Sequence, residues 1–176
     1  LYVGPRAHGN YILGDLAAED AVIFAATGTG ESPHNAMVAE LLARGHRGQI
    51  VSLTCVRYRK DLGYLRKHRV LEEEFTNYRY IPLTTRELEN VDHSHPRFVG
   101  KRYLQDVFDS KKFSEETGCD LNPESTHVYL CGSPEMIGVP RQTHDPALRY
   151  PTPRGMVEVL EERGFQVDKP HQPGNI

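Results

Sequence analysis

Tryptophan is absent from this 176-residue sequence, and cysteine and methionine occur only three times each. No apolar run approaches the ~18 residues of a membrane-crossing helix, and no signal-peptide pattern opens the chain, so membrane insertion is not expected. Cys55, Cys119 and Cys131 are an odd number without metal-type spacing. They argue against a disulfide scaffold or a cysteine-bound metal, and for a reducing, cytoplasmic setting. A charge excess is also missing: 21 basic residues face 24 acidic ones, for a net charge of −3. That balance excludes a general nucleic-acid binder. There is no internal repeat and no low-complexity tract. The length suits one domain, or one domain and a fragment of another, with a core that needs no disulfide or metal.

What is present is an alternation of strand-like and helix-like segments. AVIFAA (21–26) is a continuous apolar run of the kind buried on both faces of a sheet. A helix is predicted from Pro33 to Arg44, with Ser32 as its cap and Gly45 as its stop. GQIVSLTCV (48–56) reads as a second strand and residues 61–75 as a charged helix. YRYIPL (78–83) reads as a third strand that Pro82 ends early, and 84–100 as a loop. A helix over 103–109, a fourth strand THVYLCG (126–132), a short helix from SPEMIG, a helix in RGMVEVLEERG and a fifth strand FQVDK complete the pattern. Such an order implies right-handed βαβ crossovers and an α/β fold. The expectation is a Rossmann-like three-layer sandwich around a five-stranded parallel sheet, of order 3-2-1-4-5. Leu1 in place of Met, alternation near residues 10–13 and the loop-like end HQPGNI read as a piece of a longer protein.

The turn after the first strand, Thr27-Gly28-Thr29-Gly30, is the first candidate site. Ligands of such sheets bind at the carboxyl ends of strands. Glycines there admit positive φ and close backbone approach, the threonines offer hydroxyls, and the following helix offers free N–H groups. A pyrophosphate is the natural guest, although the turn matches neither Gly-x-Gly-x-x-Gly nor the Walker pattern. The other strand ends carry related chemistry. Arg57 follows the second strand, Thr85 and Arg86 the third, and Lys101, Arg102 and Tyr103 open a helix. Cations, a hydroxyl and a stacking ring suit an adenosine bearing a 2′-phosphate, and arginine offers phosphate a planar donor fork. Cys131 and Gly132 end the fourth strand with no histidine base nearby, which argues against a thiol nucleophile. His93 and His95 lack a third ligand at recognisable spacing and read as loop residues, so no metal is expected.

In order, ATGTGESP, VRYRKDLGY, TTRE, GKRYLQ and VYLCGSPEM resemble the nucleotide-binding half of ferredoxin–NADP⁺ reductases over residues 21–138. GMVEVLEERGF is similar to that family's last helix and strand, RAHGNYIL to the end of its flavin domain, and PGNI to the start of its closing segment. The resemblance implies that residues 1–16 end an upstream FAD-binding domain or linker and that 17–176 form an NADP-binding domain. It places Thr27, Gly28, Thr29, Gly30 and Pro33 along the pyrophosphate and nicotinamide. Thr85, Arg86, Tyr103 and Lys101 or Arg102, with Arg57, would hold the 2′-phosphate. Cys131, the one catalytic candidate, would sit beside the nicotinamide ring and help place its C4 against the flavin N5, with Gly132 among the cofactor-binding residues. The implied reaction is hydride transfer between NADP(H) and FAD, with electrons exchanged with ferredoxin or flavodoxin. The protein supplies position while the cofactors supply the electronic chemistry. This chain alone is then expected to bind NADP⁺ without catalysing turnover.

The sequence departs from the family pattern in Ser32 and His34, where alanine and phenylalanine are usual, and in a long 139–153 segment that suits a lid, a partner surface or an inert insertion. Three alternatives stay open: an NADH-preferring reductase of the same superfamily, a flavodoxin-like FMN carrier, and a non-catalytic NADP(H)-sensing or docking domain.

Overall fold

The computed structural model describes residues 11–109, 113–140, 149–169 and 171–176. Four strands, β1 (Ala21–Thr27), β2 (Ile50–Val56), β3 (Tyr78–Thr84) and β4 (Thr126–Cys131), form one parallel sheet of order β3-β2-β1-β4. The apolar run of β1 occupies the centre of the sheet, with Val22 to Ala26 all buried. Its alternating side chains divide between two cores. Ile23 and Ala25 face one side with Val51 and Leu53, and Val22 and Phe24 face the other with Ile50, Tyr78 and Tyr80. That division makes three layers, as a parallel sheet with both faces covered requires.

On the second face lie α1 (Glu31–Ala43) and α2 (Leu65–Glu74). Met37, Val38, Leu41 and Leu42 fall on one side of α1 by helical spacing, and all four are buried. Gly45, at φ +69°, ends α1, and the Gly45 and His46 N–H groups close on Leu42 and Leu41 carbonyls. Between β3 and the helices that follow, the 84–100 stretch is not all loop: it contains a short helix, α3 (Leu88–Val91). The first face is covered by α4 (Leu104–Asp109), α5 (Phe113–Thr117), α6 (Pro134–Ile137) and α7 (Met156–Glu161), which contribute Val107, Phe108, Phe113, Met136, Met156 and Leu160 to its core.

Other expectations also need correction. The fifth strand does not form among the described residues, and the sheet has four. Residues 165–168 instead bond the chain end, through Asn175 N–H to Gln166 O (2.8 Å) and Asp168 N–H to Ile176 O (3.2 Å). β4 reaches this segment through Val128 N–H to Asn175 O (2.8 Å). The groups a fifth strand would present to β4 are thus partnered with the terminus. Pro82 does not end β3: it lies inside the strand, paired with Thr54, and is tolerated because β3 is an edge strand. Ser32 is not a cap. α1 starts at Glu31, continuous with a 3-10 turn over Gly28–Gly30. Of the long 139–153 segment, residues 141–148 fall outside the described residues, as do 1–10.

Residues 11–16 lie against this domain. Gly14 N–H donates to the Tyr129 hydroxyl (2.9 Å), and Tyr11 Oη is 2.7 Å from His34 Nε2. His34 is 2% exposed, and burial lowers its pKa from 6.5 to about 4 against the opposing pull of Glu31. The unfolded chain therefore binds more protons than the folded one between those values. The stability this neutral ring contributes is present above pH 6.5 and is lost as pH falls towards 4, by on the order of 2–3 kcal/mol. Urea melts at pH 7 and pH 4.5 should show a smaller loss for His34→Phe than for the wild type; equal losses would show that His34 does not titrate this way.

Candidate functional site

Because the strands are parallel, their carboxyl ends open on one edge of the sheet, where a cleft of about 1330 Å³ lies. The β1 turn (Thr27, Gly28, Thr29, Gly30), the β2 end (Cys55 to Arg57), Thr85, Tyr103 and the β4 end (Cys131 to Ser133) all line it. The turn is built by close approach. A Cβ on Gly30 would stand 2.1 Å from the Cys131 carbonyl oxygen, and one on Gly132 2.0 Å from Thr27 Oγ1. Only glycine at both places lets the two strand ends touch. Thr27 Oγ1 accepts the Ser133 N–H at 2.8 Å, so this hydroxyl joins β1 to β4, while Thr29 stands exposed on the turn.

The ends of β2 and β3 are joined in the same manner. Thr85 N–H donates to Val56 O (3.1 Å) and Arg86 N–H to Arg57 O (2.9 Å). The Arg57 side chain is exposed and lines the cleft, and Tyr103, 49% exposed, stands at its rim. The structure thus gathers nine of the residues singled out in the sequence: Thr27, Gly28, Thr29, Gly30, Arg57, Thr85, Tyr103, Cys131 and Gly132. Four others are not part of the lining. Pro33 lies in the first turn of α1, and Arg86 is exposed beyond Thr85. Lys101 borders a second, smaller cleft with Val91 and Phe98, and Arg102 pairs with Glu116 at 2.7 Å. The histidines of the 90–100 loop go elsewhere: His93 packs on Phe98, and His95 Nδ1 accepts the Arg97 N–H.

Cys131 is part-exposed, and burial pushes its thiol above the usual range. At neutral pH it is a thiol and not a thiolate, which suits packing beside a ligand better than nucleophilic attack. Among the described residues, no group of three or more His, Cys, Asp or Glu is placed to hold a metal ion.

Two features are not singled out in the sequence. Asp61, Asp106, Asp109 and Glu135 bring carboxylates to the cleft, and Arg154, also in the lining, is paired with Asp109 and Glu162. Glu31, directly after the turn, is buried and bonded to Thr54, His68 and Tyr80. Burial acts to raise its pKa, but the hydrogen bonds from His68 and Tyr80 outweigh this and hold the carboxyl below its ordinary value. A glutamate in a first helical turn is visible in ESPHNA; its partners on β2, α2 and β3 come only from the tertiary fold.

Known proteins share this architecture. A solved ferredoxin–NADP⁺ reductase from Neisseria gonorrhoeae, with bound FAD and NADP, superposes on 90% of this chain and 55% of its own, at a TM-score of 0.67 and 19% identity. A second, a cytochrome P450 reductase from Amycolatopsis, covers 74% of this chain and 35% of its own at a TM-score of 0.55 and 22% identity. These likenesses show the fold. In sequence, ferredoxin–NADP reductase A of Sorangium cellulosum is 28% identical over 99% of this chain and 57% of its own length. The flavodoxin/ferredoxin–NADP reductase of Buchnera aphidicola subsp. Schizaphis graminum is 23% identical over 78% of this chain and 51% of its own. The chain spans about half the length of the curated relatives it matches. A family model, the oxidoreductase NAD-binding domain, matches residues 24–142. The chain therefore belongs to the oxidoreductase NAD-binding domain family, and its likeness within it is to the ferredoxin–NADP reductases.

Proposed function

We propose that this chain is the NADP(H)-binding domain of a ferredoxin–NADP⁺ reductase-like flavoprotein, whose FAD is held mainly by a domain upstream of it. The observation that carries this reading is the cleft itself. One continuous opening joins a glycine turn before a helix, an exposed arginine after the next strand and a part-exposed thiol at the end of the fourth. Their chemistry suits the three parts of a dinucleotide. The turn over residues 27–30 takes the pyrophosphate, with Gly28 and Thr29 exposed on it, open space beside Gly28, and the start of α1 directly behind. Arg57 and Thr85, with Arg86 and Tyr103 beside them, take the adenosine 2′-phosphate. Cys131 and Gly132 flank the nicotinamide. When bound, the nicotinamide supplies hydride chemistry with the flavin, and electrons pass to or from ferredoxin or flavodoxin. The residues of this chain bind, orient and exclude water.

Alkylation tests the placement. Cys55 and Cys119 are buried and Cys131 is part-exposed, so a thiol reagent at mildly alkaline pH should label Cys131 first. NADP⁺ should slow that labelling several-fold and adenosine 2′-monophosphate should not. Equal labelling with and without NADP⁺ would remove Cys131 from the nicotinamide site.

One observation favours a second reading, an NADH-using relative. Lys101 and Arg102 stand outside the cleft lining, whereas Asp61 and Asp106 stand within it. Carboxylates near a ribose suit a free 2′-hydroxyl and disfavour a phosphate.

A further inference from the structure

The buried glutamate that follows the turn has no part in the proposed nucleotide contacts, yet its side chain carries three hydrogen bonds. Glu31 is 4% exposed and is not among the cleft-lining residues. One oxygen, Oε1, accepts three hydrogen bonds: from Tyr80 Oη at 2.7 Å, from His68 Nε2 at 3.0 Å and from Thr54 Oγ1 at 3.1 Å. His68 is itself 1% exposed, and its Nδ1 lies 2.7 Å from Tyr78 Oη. An imidazole that donates from Nε2 and accepts the tyrosine proton at Nδ1 satisfies both contacts. The His68 ring also stacks on Tyr80, with centroids 3.9 Å apart. The donors come from β2, α2 and β3, so a single carboxylate gathers three elements.

The main chain of the same residue completes the turn. The Glu31 N–H donates to the carbonyls of Gly28 and Thr29. Glu31 is therefore joined on one side to the backbone that would face a pyrophosphate and on the other to the sheet and α2. Its charge favours the helix but not an anion at the turn. A carboxylate in the first turn of a helix offsets the helix's positive end, which would otherwise attract an anion. What it offers the turn is geometric.

We propose that Glu31 is a positioning residue for the dinucleotide turn, holding Gly28–Gly30 in register with β2 and β3 through Thr54, His68 and Tyr80. This rests on the reading that the turn seats the pyrophosphate. It separates two classes of ligand. NADP⁺ presses its pyrophosphate on the turn and depends on Glu31. Adenosine 2′-monophosphate, with no pyrophosphate, does not.

The test is calorimetric titration of the full chain with both compounds, for wild type, Glu31→Gln, Glu31→Leu and Tyr80→Phe, with a thermal melt of each. Glu31→Leu should weaken NADP⁺ about tenfold and leave adenosine 2′-monophosphate within about twofold, since the turn loses its tie to β2, α2 and β3 while the ends of β2 and β3 keep the Thr85 and Arg86 bonds that join them. Glu31→Gln keeps the acceptor oxygen and should rescue NADP⁺ binding to within about threefold. A purely electrostatic role for Glu31 would instead make Gln bind tighter than wild type, and that overturns the proposal. Equal losses for the two ligands, or no loss for either, also overturn it. Should Glu31→Leu fail to fold, Tyr80→Phe decides: it removes one donor and keeps the ring. A few-fold loss confined to NADP⁺ supports the assignment, and unchanged NADP⁺ binding refutes it. Wild-type protein that binds neither ligand contradicts the proposed function itself, and the inference falls with it.

Discussion

Replacing Gly30 with alanine should cost the protein both stability and nucleotide binding, more than any other single methyl added to the cleft turn. The added Cβ would stand 2.1 Å from the Cys131 carbonyl oxygen, 2.5 Å from its carbon and 3.0 Å from the Gly132 nitrogen. All three are backbone atoms of a strand end, so no side-chain rotation relieves the contact. Either the turn or the end of β4 must move by roughly 1 Å or more to reach an ordinary separation. Gly30 itself has φ −61°, so alanine meets no backbone penalty and the whole effect is steric. Overpacking of this kind costs roughly 1–3 kcal/mol or more, and a domain of this size loses about 2–4 °C in Tm per kcal/mol. Moving the turn by about an ångström breaks one or more hydrogen bonds to the charged pyrophosphate, about 1.5–3 kcal/mol each, and should lower NADP⁺ affinity about ten- to a hundredfold. Gly63→Ala is the control: nothing lies within 4 Å of its Cβ, its φ is not positive and it is exposed. It should leave binding unchanged and stability unchanged or slightly raised. A Gly30→Ala protein with wild-type melting and binding would mean that the turn and β4 do not touch in this way.

Arg57→Ala should separate NADP⁺ from NAD⁺. Arg57 is the cleft-lining cation placed after β2, beside Thr85, and its side chain is exposed. Arg154, in contrast, is held by Asp109 and Glu162. A charge-assisted hydrogen bond from a guanidinium to phosphate contributes about 1.5–3 kcal/mol, so the variant should bind NADP⁺ about ten- to a hundredfold more weakly. NAD⁺, lacking the 2′-phosphate, should change less than about threefold. Arg57→Lys should recover only part of the loss, because an ammonium cannot offer the planar fork. Arg86→Ala, whose residue lies outside the lining, should have the smaller effect of the two. Equal losses of NADP⁺ and NAD⁺ in Arg57→Ala would refute its assignment to the 2′-phosphate and favour the NADH reading.

The central architecture is legible in the sequence because it rests on local pattern. AVIFAA reads as a doubly buried strand, and β1 is one. Gly45 reads as a helix stop, and it takes the positive φ that ends α1. The alternation of strand and helix segments makes the first four strands parallel, whatever their order, and that alone puts the TGTG turn, Arg57, Thr85 and Cys131 on one edge of the sheet. What is not legible depends on partners distant in the chain. FQVDK has the composition of a strand, but its backbone groups are taken by the chain end, a competition that no local pattern records. Pro82 marks a strand end only if the strand is central, and edge position is a tertiary fact. Arg102 and Lys101 carry the charge expected of a phosphate site, yet Arg102 is turned to Glu116 and Lys101 to the smaller cleft. Glu31 gives no local signal of its role because its meaning lies in Thr54, His68 and Tyr80, which are 23, 37 and 49 residues away.

The most direct measurement is a calorimetric titration of the full chain with NADP⁺ and with NAD⁺, in parallel, at modest ionic strength. The account predicts saturable binding of one NADP⁺ per chain and an affinity for NAD⁺ at least about tenfold lower, the margin expected of one charge-assisted phosphate contact. Equal or tighter binding of NAD⁺, or binding of neither, would contradict it.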